Sequence, residues 1–533
     1  MEKQKIRWTQ IELPSLHLLW KRDSGEEIVS SVIRSNYPKP SLTIIPAILE
    51  QTGLCEVDAV DMKIRDQDQI TPYREFRYGE GTMIASRMGV PFEKLEKKLM
   101  NTDVLGLSIN PTSWKNIAKD FMQYARSVNP NIKIVIGGNE ATFKSEHYLK
   151  EGLADIAMLG EAEHSLPKLL ESLDKGEDLG NVRGIAYTQN DEIVKTGMPE
   201  KPKMEDVPLQ ALDLLKDDIP LWTTPIEYFP LPEGVDTPIG FTFFTRGCYQ
   251  NCDYCTSPRK MGKFRFNSLE KIAKELDHFK DHGINTLNIW DDSLTSVMYN
   301  GALGRTEGRK YLMDLAELLK EKGFAYEFSQ GVVIKDLWDK EKNQPDFELI
   351  NTLYSNKMEN GKFVGCYGEY FPTEFLQVEN PHDKCAKLEG FEIEKEILTA
   401  IVDAGTKLIS YSSIMGSNSD TSENFSFATD RLKELTELVK SHGGLGLATP
   451  FIYSTFPGTR LWDKGEMDLA YSIEEFPELY QLNAAPQRTP NFEPDELFLE
   501  RKKMEKELMT PTQYTKWNST GRYHWPEGEV KWH

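Results

Sequence analysis

The sequence predicts an α/β protein: a Rossmann-like domain, then six strand-plus-helix units, then a helical and aromatic C-terminal extension. Three observations carry this. Short apolar runs alternate with amphipathic stretches along most of the chain. In the first third those runs close on glycine pairs or polar residues, as strand ends at the ligand crevice of an open parallel sheet do. Three of the six cysteines, Cys248, Cys252 and Cys255, share one loop directly after an apolar run.

Composition bounds the rest. A chain of 533 residues with 39% hydrophobic and 28% charged residues has room for several buried cores. Its net charge of −21 disfavours nucleic acid or anionic membrane as a partner. No apolar run approaches the roughly 20 residues of a membrane helix. The opening residues MEKQKIRWTQ hold no signal-peptide core, so a cytoplasmic location is expected, where thiols stay reduced.

Residues 1–197 read as a parallel sheet with helices on both faces. Ser15–Trp20 is a short strand, Ser41–Gly53 a helix ending at glycine, and Cys55–Val60 the next strand. Asp103–Ile109 is a strand, Trp114–Val128 a helix, and Lys133–Ile136 a strand running into Gly137-Gly138. A helix closes over His147–Gly152, and Ile156–Leu159 runs into Gly160-Glu161-Ala162-Glu163. Gly184–Thr188 and Glu192–Lys195 form a hairpin turning at Gln189-Asn190-Asp191.

Residues 198–238 are rich in proline and acids and read as an ordered linker. The second domain spans 239–465, with strands at 239–245, 286–290, 325–330, 363–369, 407–412 and 446–453. Amphipathic helices fall at Leu269–His282, Arg309–Lys322, Glu392–Ala404 and Asp430–His442. Its strand ends carry Asp291-Asp292-Ser293, Ser329-Gln330, Glu369, Ser412-Ser413, and Thr455 ahead of Pro457-Gly458-Thr459. Residues 466–533 add a charged helix, Pro494–Leu508, and an aromatic tail.

Three thiolates spaced Cys-x3-Cys-x2-Cys can each hold one iron of a 4Fe–4S cube, leaving the fourth iron open to a chelating small molecule. Gly247 keeps a bulky side chain off the loop. Structural zinc wants four ligands, usually in two pairs, and no second pair is present. Disulfides suit an acidic chain without a secretory signal poorly. Cys55, Cys366 and Cys385 are scattered singly and read as packing residues or incidental thiols. His278 and His282 share a helix face but lack a third ligand nearby in sequence.

The triplet, with Tyr254 before its last cysteine, resembles the signature of the radical S-adenosylmethionine (SAM) enzymes, whose partial (β/α)6 barrel has six units like these. The resemblance implies that Cys248, Cys252 and Cys255 bind the cluster, that SAM chelates the open iron, and that Tyr254 lies near the adenine. It further implies a SAM pocket at Asp291, Asp292, Ser329, Gln330, Glu369 and Ser412. For each of these alone, a strand-end cap or turn residue is the plain alternative.

The first domain resembles the cobalamin-binding domain fused ahead of many radical SAM modules, through Ser108, Asn110, Gly137, Gly138 and Gly160-Glu161-Ala162-Glu163. The alternative is a degenerate α/β domain without a ligand. Cobalamin domains that ligate cobalt carry Asp-x-His-x-x-Gly; the corresponding Asp61-Met-Lys63-Ile-Arg-Asp66 has no histidine, which implies cobalamin held without a protein imidazole. Methylthiotransferases share the triplet but need three further cysteines upstream, and only Cys55 lies there. The implied activity is a cobalamin-dependent C-methyltransferase acting on a small molecule or peptide, fed by an electron donor such as flavodoxin or ferredoxin. A cobalamin-dependent rearrangement or cyclisation uses the same motifs. A non-catalytic cobalamin or SAM sensor has no need of an open redox cluster.

Overall fold

The computed structural model describes residues 4–32, 38–110, 112–223, 231–299, 301–330, 332–374, 390–511 and 514–515. Cys385 and the tail aromatics Trp517, Tyr523, Trp525 and Trp532 lie outside them. The chain divides into two units. The first comprises residues 1–221, 455–464 and 469–481, and the second the remainder. The boundary at Leu221/Trp222 falls inside the stretch read as a linker, and two segments beyond residue 454 join the first unit.

In the first unit the strands are β1 (Ile6–Glu12), β2 (Ser15–Arg22) and β3 (Glu27–Val32), followed by helix α1 (Pro40–Thr52). Next come β4 (Cys55–Asp61), β5 (Ile70–Arg77), β6 (Gly81–Met88), α2 (Glu96–Met100), β7 (Val104–Ser108) and α3 (Lys115–Val128). Then follow β8 (Lys133–Gly137), α4 (Gly138–Lys150), β9 (Ile156–Met158), α5 (Ser165–Lys175), β10 (Ile185–Gln189) and β11 (Glu192–Lys195). The main sheet runs β11-β10-β9-β8-β7-β1-β4, parallel from β9 to β4, with β10 and β11 as the predicted hairpin.

Two expectations change. Residues 6–12, read only as a lead-in, form a strand inside the main sheet, between β7 and β4. Polar residues disguise it: Thr9, Gln10 and Glu12 are buried yet partnered, as in the 2.7 Å hydrogen bond between the Thr9 and Thr102 hydroxyls. Ser15–Trp20 belongs instead to a separate antiparallel sheet, β3-β2-β6-β5, where Trp20 is fully buried and its indole donates to the Tyr78 carbonyl. α1 ends as predicted, at Gly53 with φ 67°.

The second unit holds β12 (Ile239–Thr242), β13 (Thr245–Arg246), α6 (Ser257–Met261), β14 (Arg265–Phe266), α7 (Leu269–Asp281), β15 (Thr286–Ile289) and α8 (Arg305–Glu321). After these come β16 (Ala325–Phe328), β17 (Trp338–Asp339), β18 (Gln344–Pro345), α9 (Phe347–Tyr354), β19 (Asn356–Glu359) and β20 (Lys362–Glu374). The unit continues through α10 (Phe391–Ala404), β21 (Leu408–Met415), α11 (Ser422–Ser441), β22 (Leu445–Ile452) and α12 (Pro494–Leu508). Six parallel strands stand in chain order, β12-β15-β16-β20-β21-β22, with β19 antiparallel on β20. Consecutive parallel neighbours joined through helices are what the six strand-plus-helix units predict.

Period-two alternation sorts the strand side chains. Tyr326 donates to the Leu353 carbonyl of α9, and the Phe328 and Tyr354 rings lie 5.8 Å apart, so these face the helices. Glu327 and Ser329, between and after them, face the opposite side and are only half-buried. Trp290, Tyr370 and Ser410 show the same half-exposure. The helix-facing side is therefore packed shut, and the other side is a polar, accessible floor.

Candidate functional site

Strand β12 delivers the chain to the cysteine loop, and β15 fixes that loop in place. Asp291, just after β15, is buried and accepts from the Thr245 hydroxyl, the Thr245 N–H and the Phe244 N–H. Asp292 accepts from the Gly247 N–H at 3.0 Å. Burial pushes the Asp291 carboxyl up to about 7, against the pull of these donors. Both second-strand acids thus spend oxygen atoms on the backbone ahead of Cys248. Gly247 has φ 96°, and a Cβ there would sit 3.4 Å from the Gly262 carbonyl oxygen and the Phe264 Cα, so only glycine takes this turn without strain.

Cys248 and Cys255 are half-buried and Cys252 is buried. The Gln250 and Ser257 N–H groups each point at a thiol sulfur, at 3.4 Å from Cys248 Sγ and Cys255 Sγ. Such donors stabilise thiolates and tune a cluster held by them. Among the described residues no three His, Cys, Asp or Glu side chains converge on a single metal ion. One thiolate per iron of a cube does not require such convergence, whereas zinc does.

The other predicted SAM-pocket residues separate into groups. Ser329 sits on the open floor, its hydroxyl 2.6 Å from Glu327 Oε1 and within reach of Asn288 Oδ1, while Asn288 donates to Glu327 Oε1 at 2.7 Å. Burial raises the Glu327 carboxyl, and the Ser329 and Tyr367 hydroxyls hold it back. Ser412 bonds the Tyr370 hydroxyl. Tyr254 meets Tyr453 edge-on at 6.0 Å between ring centroids. Gln330 is exposed.

Glu369 lies elsewhere. β20 runs on to Glu374, so Glu369 is within the strand and not at its end. It is register neighbour to helix-facing Phe328, beside Tyr354, and burial drives its carboxyl well above the usual range. Thr455 and Pro457-Gly458-Thr459 belong to the first unit, where Gly458 abuts the Phe143 ring. Asn288, Glu327 and Tyr370 escaped sequence reading; the signal available was a polar residue recurring inside an apolar strand.

In the first unit the carboxyl strand ends gather a buried charged group. Glu12 and Asp61 are register partners on β1 and β4. Lys39 Nζ lies 2.6 Å from Glu12 Oε1 and 3.3 Å from the Trp114 ring centroid. Lys63 Nζ stands 3.9 Å from Glu12 and 3.8 Å from Asp61. Burial lowers Lys39 to about 8 and raises Asp61 to about 6. Lys63, on the loop that lacks histidine, is thereby engaged with two carboxylates.

Ser108, Asn110 and Gly138 come together: Asn110 donates to the Ser108 hydroxyl at 3.1 Å and accepts from the Asn139 N–H at 3.3 Å. A Cβ on Gly138 would meet the Ile109 carbonyl oxygen at 2.7 Å, so backbone atoms account for that glycine, whereas at Gly160 it would meet only the movable end of Met198 and the requirement is its φ of 71°. Gly137 is different, with nothing nearer than 3.9 Å. Glu161 is buried against Lys201 at 3.3 Å. Glu163 lines a separate shallow cavity with Thr52 and Glu171. Beyond β7 and β8, the Ser113 hydroxyl, the Trp114 indole nitrogen and Asn139 Oδ1 are buried without a hydrogen-bond partner among the described residues. Orphaned donors and an acceptor at carboxyl strand ends fit a ligand fringed with amides, as cobalamin is.

Comparison with known proteins bears on both units. Residues 27–170 match the B12 binding domain. The chain is 25% identical over 376 residues to an uncharacterized methyltransferase of Pyrococcus horikoshii, covering 69% of this chain and 70% of that one. It is 31% identical over 333 residues to an anaerobic magnesium-protoporphyrin IX monomethyl ester cyclase of Rubrivivax gelatinosus, covering 60% of this chain and 51% of the relative. The structure of the cobalamin-dependent S-adenosylmethionine radical enzyme OxsB, with aqua-cobalamin and S-adenosylmethionine bound, matches with TM-score 0.62 at 15% identity, over 94% of this chain and 66% of that one. No helix among the described residues is long and apolar enough to cross a membrane. The chain thus carries a B12-binding domain at residues 27–170, and its fold is that of the OxsB structure.

Proposed function

We propose that this protein is a cobalamin-dependent radical SAM C-methyltransferase that methylates an unactivated carbon of a small molecule or peptide. The observation that carries the proposal is the cysteine loop, pinned by Asp291 and Asp292, beside a floor of half-exposed polar side chains, in a chain that also holds a B12-binding domain. When bound, the cluster with SAM supplies a carbon-centred radical and cobalamin carries the methyl group. The chain's own share is positioning. Cys248, Cys252 and Cys255 would hold three irons and leave the fourth open. The Ser329 hydroxyl and the Glu327 carboxyl offer hydrogen bonds to SAM or substrate from the floor, where buried Ser412 holds the half-exposed Tyr370 hydroxyl. In the first unit Ser113, Trp114 and Asn139 would bind the periphery of the corrin, and Lys63, tied to Glu12 and Asp61, offers no imidazole to cobalt.

The test is anaerobic reconstitution with iron, sulfide, cobalamin and SAM, followed by mass analysis of candidate substrates. A product heavier by one methylene supports methyl transfer. A product altered without that gain supports the second reading, a cyclisation or rearrangement, which the cyclase relative favours.

A further inference from the structure

We propose that a cavity of the first unit, between α4 and the late segments 455–464 and 469–481, binds a small organic acid through Lys115. The acid's carboxylate or phosphate group pairs with the Lys115 ammonium, and its carbon body lies against Phe143, Pro457 and Ile473. The site lies within one unit and does not depend on the cluster.

Lys115 opens α3, is only 7% exposed, and lines a cavity of about 360 Å³. Among the described residues neither a carboxylate nor another acceptor is within bonding distance of its ammonium. The other charges of the wall have partners. Lys144 pairs with Glu474 at 3.4 Å and stands 4.9 Å from the Trp462 ring centroid. Glu146 holds Lys195 at 2.9 Å and Lys150 at 3.7 Å. His147 meets Glu151 at 3.2 Å. Glu140 is buried, and its two oxygens accept from the Thr112 hydroxyl at 2.6 Å and the Tyr148 hydroxyl at 3.2 Å. The cation left over is Lys115.

An ammonium withdrawn from water without a partner is costly, and an anion entering the cavity removes that cost. Burial lowers the Lys115 ammonium from its ordinary value, against the pull of Glu140 and Glu474. Its charge in turn adds to the burial that lowers His147. The positive end of the α3 dipole falls at the same residue and favours the same sign of ligand.

The walls also set the ligand's size and polarity. The volume suits a small molecule, at the lower end of such pockets. Phe143, Pro457 and Ile473 give it an apolar side, which a bare ion would leave unused. The lining follows α4 from Glu140 to Lys150 and ends at Lys195 on the edge strand β11, away from the carboxyl strand ends. Ser113, Trp114 and Asn139, the groups assigned to the corrin, do not line it.

The experiment uses the full chain with phenylacetate and phenyl phosphate as probes and phenylacetamide as the neutral control, read by calorimetry and thermal melting. At least one acid should bind the wild type about tenfold or more tightly than the amide and raise its melting temperature. Lys115→Met should lower acid affinity about tenfold or more and leave the amide unchanged. Because methionine removes an unpaired charge, this variant should melt at or above the wild type without ligand. If it fails to fold, Glu474→Gln at the exposed rim tests the same field: it frees Lys144 and should tighten acid binding. Acid binding weakened in Glu474→Gln counts against the proposal. Failure of both acids to bind the wild type at millimolar concentration overturns it, as does equal loss of acid and amide in Lys115→Met. Displacement of a bound acid by one equivalent of hydroxocobalamin also overturns it, because Lys115 then serves the phosphodiester of that cofactor.

Discussion

The Gly247 N–H donates to Asp292 Oδ2 at 3.0 Å, tying the residue before Cys248 to the end of the second strand of the series. One residue earlier in that strand end, Asp291 takes the Thr245 and Phe244 N–H groups. The chain's own hydrogen bonds therefore hold the backbone that leads into the cysteine loop.

Removing Asp291 should unshape it. Asp291→Ala strands two backbone N–H groups that have no route to solvent, at a cost of about 1–3 kcal/mol each. The expected result is a lower melting temperature and reduced iron uptake. Asp292→Ala, at an exposed position, should lose less of both. Melting curves and iron assays on the two variants check the order.

The buried group at Glu12 gives a second prediction. Lys39→Met leaves a fully buried carboxylate without its nearest cation, costing about 3 kcal/mol. Adding Glu12→Gln should recover most of that loss, because the uncompensated charge goes with it. Denaturant unfolding of the single and double variants measures the difference.

Asp61 predicts a pH dependence. Its carboxyl is raised from 3.8 to about 6 in the folded chain, so the folded state binds more protons between those values. Its contribution to stability is present below about pH 4, falls as pH rises through 6, and is flat above. Relative to Asp61→Asn, the wild type should therefore lose stability from pH 4 to 6, as paired urea titrations at each pH would show.

The two adjacent glycines should behave differently. Gly138→Ala meets the Ile109 carbonyl at 2.7 Å with φ 90° and should destabilise the fold with or without cobalamin. Gly137→Ala has open space and an extended φ of −136°, so it should fold normally. If cobalamin approaches there, its affinity alone falls, which a cobalamin titration monitored by absorbance would read.

The residues explain what was legible in the sequence. The six parallel strands of the second unit announce themselves because their helix-facing side chains are mostly apolar, and the cysteine spacing needs no tertiary context. β1 stayed hidden because its buried polar residues find their partners only in the folded chain: Thr9 at Thr102, Gln10 at the Trp8 indole and Glu12 at Lys39. Asp291 and Asp292 follow β15, where the sequence places a pair of strand-end acids, but the sequence does not say that their oxygens meet Thr245 and Gly247, some 45 residues away. Glu369 was misplaced because the end of β20, at Glu374, is set by pairing with β21. The packing of Pro457-Gly458 on Phe143 joins segments more than 300 residues apart, beyond any local pattern.

The central claim is that Cys248, Cys252 and Cys255 hold one 4Fe–4S cluster that cleaves SAM. The most direct measurement is iron content and 5′-deoxyadenosine formation in the anaerobically reconstituted chain and in the variant with all three cysteines replaced by alanine. Three thiolates on a single cube predict about four irons per wild-type chain, 5′-deoxyadenosine on adding reductant and SAM, and neither in the variant. Full iron retention by the triple variant, or a loaded wild-type chain that leaves SAM intact under reduction, would contradict it.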